Sequence, residues 1–180
     1  LGHSGALPPL VAAWFPNLAF GLTGAWLTDN DTDYLGTSGS EPFWGDYDGD
    51  GQSDLAAYNP TRGFWFAKLS RTWETLSFGW MTGCDPVPGD YDGDRKADPA
   101  LYNEAMGIWF ILLSDRNYDM VMPQFGGRGF TPVSGDYDGD GKADLTLYNE
   151  SSGYWYRLLS ASGYALDTVW FGAPGYKPVK

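Results

Sequence analysis

A chain of 180 residues with 43% apolar and 17% aromatic content has enough burying side chains for one or two cores, which argues against disorder. Its 23 acidic residues against 11 basic ones leave a net charge of −12, which disfavours nucleic acid and anionic lipid as partners and favours cations. Twelve of the 19 aspartates fall in three loops, and only four glutamates occur anywhere, so Asp is used for its short, locally reaching carboxylate.

The amino-terminal part, residues 1–28, is an apolar leader. Residues 5–28 carry no charge, and Ala6–Leu27 is long enough to span a bilayer hydrocarbon core as a helix. Pro8, Pro9 and Pro16 and the absence of flanking Lys or Arg oppose that reading. Residues 22–44 also read as an incomplete leading repeat, because Gly24-Ala25-Trp26 matches the Gly-x-Trp strands described below. The leader is therefore read as a membrane helix, a strand, or a buried segment joining subunits. Asn30-Asp31-Thr32 and Asn149-Glu150-Ser151 are glycosylation sequons that matter only in a secreted protein. Cys84 is the single cysteine, so no internal disulfide forms and redox compartment is not indicated.

From residue 45 the chain repeats itself. Gly-Asp-Tyr-Asp-Gly-Asp recurs at Gly45, Gly89 and Gly135, which frames repeats at 45–88, 89–134 and 135–180. Each loop leads to an apolar segment ending in Tyr-Asn (Tyr58-Asn59, Tyr102-Asn103, Tyr148-Asn149) and then to Gly-x-Trp (Gly63–Trp65, Gly107–Trp109, Gly153–Trp155). Leu-Ser closes that segment at Ser70, Ser114 and Ser160, followed by Phe-Gly at Phe78, Phe125 and Phe171 and Pro-Val at Pro86, Pro132 and Pro178. Short aromatic and branched runs bounded by Gly, Pro, Asn or Ser are strands joined by tight turns. The expected fold is all-β, with blades of short antiparallel strands repeated as in a propeller or solenoid. The strand around each Trp carries large apolar residues on both faces, such as Phe110 against Trp109, and should be covered on both sides.

In the first loop Asp46, Asp48 and Asp50 alternate, Gly51 follows, and Asp54 lies eight positions after the first. This spacing wraps oxygens around one hard cation. The glycine allows the sharp turn that aims the Gln52 carbonyl inward, as a calcium loop requires. The second loop supplies Asp90, Asp92, Asp94, the Lys96 carbonyl and Asp98; the third supplies Asp136, Asp138, Asp140, the Lys142 carbonyl and Asp144. Four crowded carboxylates repel one another, so the loop should loosen or take up protons without a cation. Three Ca²⁺ ions would halve the net charge. Magnesium, which prefers a rigid octahedral shell with several waters, fits the spacing less well. The competing reading is a set of Asx-turns that need no ion. In the second loop Arg95 stands where the others have glycine, so the same geometry demands an unfavourable positive φ there.

The Asp-x-Asp-x-Asp-Gly-x-x-Asp loops with Phe-Gly and Pro-Val nearby resemble FG-GAP/VCBS-type repeats, as in the integrin-α propeller, over about residues 22–180. The resemblance implies calcium-bearing β-propeller blades in surface or secreted proteins, many of them adhesive or structural, with ligand roles on the aspartates named above. The wording with Tyr-Asn and Gly-x-Trp is similar to long bacterial arrays of this class. A second resemblance covers Leu7-Pro8-Pro9-Leu10-Val11-Ala12-Ala13-Trp14-Phe15-Pro16-Asn17, which looks like the last membrane helix of lipopolysaccharide-export permeases and carries none of their transport apparatus.

Three and a half repeats do not close a propeller. The expectation is either a longer array or neighbouring subunits completing one another head to tail. Everything conspicuous occurs three times in equivalent places, and His3, the single histidine, lies in the leader, so no Ser-His or Cys-His pair can form in the repeats. A paired-carboxylate glycosidase remains formally open, although calcium explains the close pairs. Trp65, Trp109 and Trp155 are read as packing residues rather than sugar platforms. The sequence thus describes a non-enzymatic, calcium-stabilised extracellular or cell-surface protein, structural or filament-forming, with an adhesin-like module for glycan or protein as the alternative.

Overall fold

The computed structural model describes residues 38–178. The readings placed on the apolar leader, on Gly24–Trp26, on His3 and on the sequon at Asn30 lie outside these residues.

The fold is all-β and repeated. Three antiparallel four-stranded sheets each run in simple sequence order: β1 (Glu41–Gly45), β2 (Asp54–Asn59), β3 (Phe64–Lys68) and β4 (Thr75–Gly79); β5 (Asp85–Pro86), β6 (Ala100–Asn103), β7 (Ile108–Leu113) and β8 (Asp119–Val121); β9 (Phe130–Pro132), β10 (Leu145–Asn149), β11 (Tyr154–Leu159) and β12 (Ala165–Trp170). The first sheet belongs to one compact unit, ending at Gly83; the second and third belong to another, from Cys84 onward. Among the described residues the only helical segments are 3-10 turns at Ser114–Arg116 and Ser160–Ser162, and no helix is long and apolar enough to cross a membrane.

Each sheet begins one strand before its aspartate loop, so the loop connects the first and second strands. Pro86 and Pro132 sit in β5 and β9 and open a sheet rather than closing one. Glu41–Gly45, which crosses the expected boundary between segment 22–44 and repeat 45–88, pairs with β2 as the first strand of the first sheet. The Tyr-Asn and Gly-x-Trp motifs are the two ends of one hairpin turn. Asn59 Oδ1 accepts N–H bonds from Thr61 and Arg62 (3.1 and 2.9 Å), while the Gly63 N–H reaches Asn59 O at 2.7 Å. Such an Asx-turn explains asparagine at this position. Glycine at the turn's end has two causes in Gly107: φ is +64°, and a Cβ would lie 2.7 Å from Gly126 O.

One motif of the first repeat is out of register. The Phe125 N–H donates to Gly107 O and the Phe171 N–H to Gly153 O, and the residue that donates to Gly63 O is Trp80, not Phe78. Phe78 instead lies opposite Trp65 within the sheet. Trp109 and Trp155 donate their indole N–H to Phe125 O and Phe171 O (3.2 and 2.7 Å), whereas that of Trp65 finds no acceptor. The Phe-Gly spacing of the first repeat therefore aligns by letter and not by structure.

Burial on both faces of the Trp strand holds for β7, where Trp109 and Ile111 are 0% and Phe110 5% exposed. It fails for β3, whose Phe64 is exposed, and for β11, which has no fully buried residue. Between the second and third sheets lies one continuous core in which Tyr102, Trp109, Ile111 and Leu113 pack with Leu145 and Leu147, joined at its edge by Phe125, Tyr156 and Leu158. Each sheet consequently has a Trp face, carrying Trp109 and Ile111 in the second, and a Leu face, carrying Leu145 and Leu158 in the third. β7 is buried on its Trp face by the third sheet and on its Phe110 face as well, whereas β3 is buried on its Trp65 face and open at Phe64.

Candidate metal centres

The three aspartate loops have one conformation. In each, the first aspartate turns both carboxylate oxygens onto the backbone ahead of it. Asp46 accepts from the N–H groups of Gly49 and Gly51 (2.6 and 2.8 Å), Asp90 from Gly93 and Arg95 (2.6 and 2.7 Å), and Asp136 from Gly139 and Gly141 (2.6 and 2.9 Å). The donor five residues on has positive φ in all three copies: Gly51 +85°, Arg95 +71°, Gly141 +90°. Arg95 thus keeps the loop geometry and accepts the backbone strain that the sequence implied, a left-handed conformation that costs a non-glycine residue about 1 kcal/mol or more.

The last aspartate of each loop is a strut. Asp54, Asp98 and Asp144 are 1%, 0% and 0% exposed. One carboxylate oxygen accepts the N–H of Tyr47, Tyr91 or Tyr137, and the other that of Ser70, Ser114 or Ser160, all at 2.6–2.8 Å. These serines also donate their hydroxyls to Asp50, Asp94 and Asp140 (3.2, 2.8 and 2.9 Å). The next residue's N–H reaches Asp48, Asp92 or Asp138 at 3.0–3.2 Å. In the second and third copies the 3-10 turn just beyond β7 or β11 presents this serine and its neighbour to the loop. The Leu-Ser repeat was visible in the sequence, but its role was not. Its signal was a small hydroxyl residue at a fixed 16 positions beyond the buried aspartate.

The structure brings together Asp46, Asp48 and Asp50 in the first loop and Asp90, Asp92 and Asp94 in the second, each residue offering a carboxylate oxygen within 4.8 Å of the others. In the third the trio is Asp136, Asp138 and Asp144, with Asp140 outside it. The fourth aspartate of the first two loops stands apart as the strut. Gln52, Lys96 and Lys142 donate their N–H groups to Asp50, Asp94 and Asp140 (2.8, 2.8 and 2.9 Å).

At 4.8 Å and an effective dielectric of about 20, two like charges repel by about 3.5 kcal/mol, and the converging N–H groups offset part of that. Burial, opposed in part by the N–H groups of Gly93 and Arg95, raises the Asp90 pKa. Burial also pushes Asp98 up to about 7, against the bonds from Ser114 and Tyr91. In the exposed third loop the N–H of Gly141 instead holds Asp136 below its ordinary value. The donor set is entirely carboxylate oxygen in the clusters, which suits a hard divalent cation and not a soft one.

Trp65 and Trp109 are fully buried and Trp155 is half-buried, so the first two cannot stack on a sugar. No family model, curated protein or solved structure matches the chain.

Proposed function

We propose that this chain is a calcium-stabilised structural repeat protein of the FG-GAP/VCBS type, working outside the cell or on its surface in a bacterial secreted protein. One observation carries the reading: three loops with a shared hydrogen-bond pattern each gather three carboxylates within 4.8 Å, an arrangement whose repulsion a divalent cation removes. Asp46, Asp48 and Asp50, Asp90, Asp92 and Asp94, and Asp136, Asp138 and Asp144 would hold the ions. The serine-anchored struts fix each loop to the end of its Trp strand, so an ion there would lock loop, strand and turn together. The role is architectural rather than catalytic, because the same constellation occurs in triplicate and no asymmetric set of acid, base and nucleophile accompanies it among the described residues.

The test is thermal unfolding with calcium and with excess EGTA. A ligand that binds only the folded state raises its stability by RT ln(1 + [L]/Kd), so ion binding at three sites should raise the midpoint by many degrees. An unchanged midpoint would identify the loops as Asx-turns alone. Saturable glycan retention by a monomer would move the reading to an adhesin-like module.

A further inference from the structure

The second and third aspartate loops lie in the same compact unit and touch one another. The Ala143 N–H donates to the main-chain carbonyl of Asp90 at 2.5 Å. Asp90 opens the second carboxylate trio, and Ala143 directly precedes Asp144 of the third, so this bond runs from one candidate centre to the other. The approach around it is close. A Cβ on Gly89 would lie 2.9 Å from the Ala143 Cβ, and a Cβ on Gly93 would lie 3.0 Å from the Lys142 Cε. Glycine at these two positions lets the Lys142-Ala143 segment of the third loop rest on the second.

One rigid group joins the two centres. The Lys142 carbonyl, which the loop spacing aims at an ion in the third loop, and the Ala143 N–H are opposite poles of a single planar peptide. Electron density drawn from that carbonyl makes the N–H a stronger donor to Asp90. Repulsion among Asp136, Asp138 and Asp144 loosens the third loop when no cation offsets it, and with it the peptide on which the second loop rests. Tyr91, between Asp90 and Asp92, is buried in the same core as Ala143. Ordering either loop therefore lowers the ordering cost left for the other.

We infer that the second and third loops take up their ions cooperatively, each occupied loop raising the affinity of the other through the Ala143–Asp90 bond and the packing of Gly89 and Gly93 on the third loop. The inference rests on the calcium reading above and deepens it: the pair fills over a narrower range of calcium concentration than two independent sites. Contact carries the coupling, not charge, since two bound cations repel and salt at about 0.15 M screens exposed charges beyond about 8 Å.

The experiment is a calcium titration of the chain followed by NMR at single backbone amides. Gly93 and Arg95, whose N–H groups bond to Asp90, report the second loop; Gly139 and Gly141, bonded to Asp136, report the third. Asp138→Asn weakens the third centre and should raise the calcium concentration that half-shifts Gly93 and Arg95 by about fivefold or more. Asp92→Asn should do the same to Gly139 and Gly141 by the same factor, because coupling between sites is reciprocal. Gly89→Ala, at a glycine without a left-handed φ, keeps every carboxylate and presses the loops apart, so in its background the effect of Asp138→Asn should shrink. Half-points indifferent to the other loop's substitution overturn the coupling and leave the metal reading intact. An effect of Asp138→Asn undiminished by Gly89→Ala assigns the coupling to charge and overturns the contact route. Amides that do not shift with calcium in either loop overturn the metal reading and this inference with it.

Discussion

Asp98→Asn isolates the strut of the second loop. Burial pushes the Asp98 carboxyl up to about 7, against an ordinary value near 3.9 in an unfolded chain. A raised acid binds its proton more tightly when folded, so without a cation the wild type loses stability as pH rises from about 4 to about 7. The gap corresponds to about 4 kcal/mol of stability present at low pH and absent above neutrality. Asparagine cannot ionise. It also presents one carbonyl to the two N–H groups of Tyr91 and Ser114, which bond to the carboxylate at 2.8 Å each, so one N–H loses its acceptor at a cost of about 1–3 kcal/mol at every pH. The variant should therefore be less stable than wild type at pH 4, and the difference should shrink or reverse by pH 8. The assay is urea unfolding of both proteins in EGTA across that range, with their difference read against pH. Parallel curves would show that the buried carboxylate does not carry the penalty assigned to it. Saturating calcium should favour the ionised wild-type strut and make the substitution harmful at high pH as well.

Arg95→Gly should stabilise the protein by about 0.5–1 kcal/mol, since glycine adopts the +71° φ of this position without a Cβ penalty; urea midpoints at constant m check this. Ser114→Ala removes the hydroxyl bond to Asp94 at 2.8 Å but keeps the backbone bond to Asp98, and should cost about 1–2 kcal/mol. In an Asp94→Asn background that cost should fall, and an undiminished cost in the double-mutant cycle would show that the serine acts elsewhere. Gly107→Ala combines a +64° φ with a Cβ placed 2.7 Å from Gly126 O and should cost about 2 kcal/mol or more in thermal or urea unfolding.

The periodicity of the sequence determined the class of fold. Three copies of an alternating aspartate loop, a Tyr-Asn turn and a Gly-x-Trp strand are local signals, and local hydrogen bonds realise them: Asx-turns at Asn59 and Asp46 join residues only a few positions apart. The strain at Arg95 was legible for the same reason. What the sequence could not supply depended on residues distant along the chain. That Asp98 is a strut is decided by Ser114, 16 residues away, and the third trio takes Asp144 in place of Asp140. Tertiary structure also set the sheet boundaries one strand ahead of the repeat frame, placed Trp80 rather than Phe78 at the end of the Gly63 hairpin, and, of the three Trp strands, covered both faces of β7 alone. Burial is a property of what stacks upon a sheet. The alternation within one strand names its two faces, but only the neighbouring sheet determines which of them meets water.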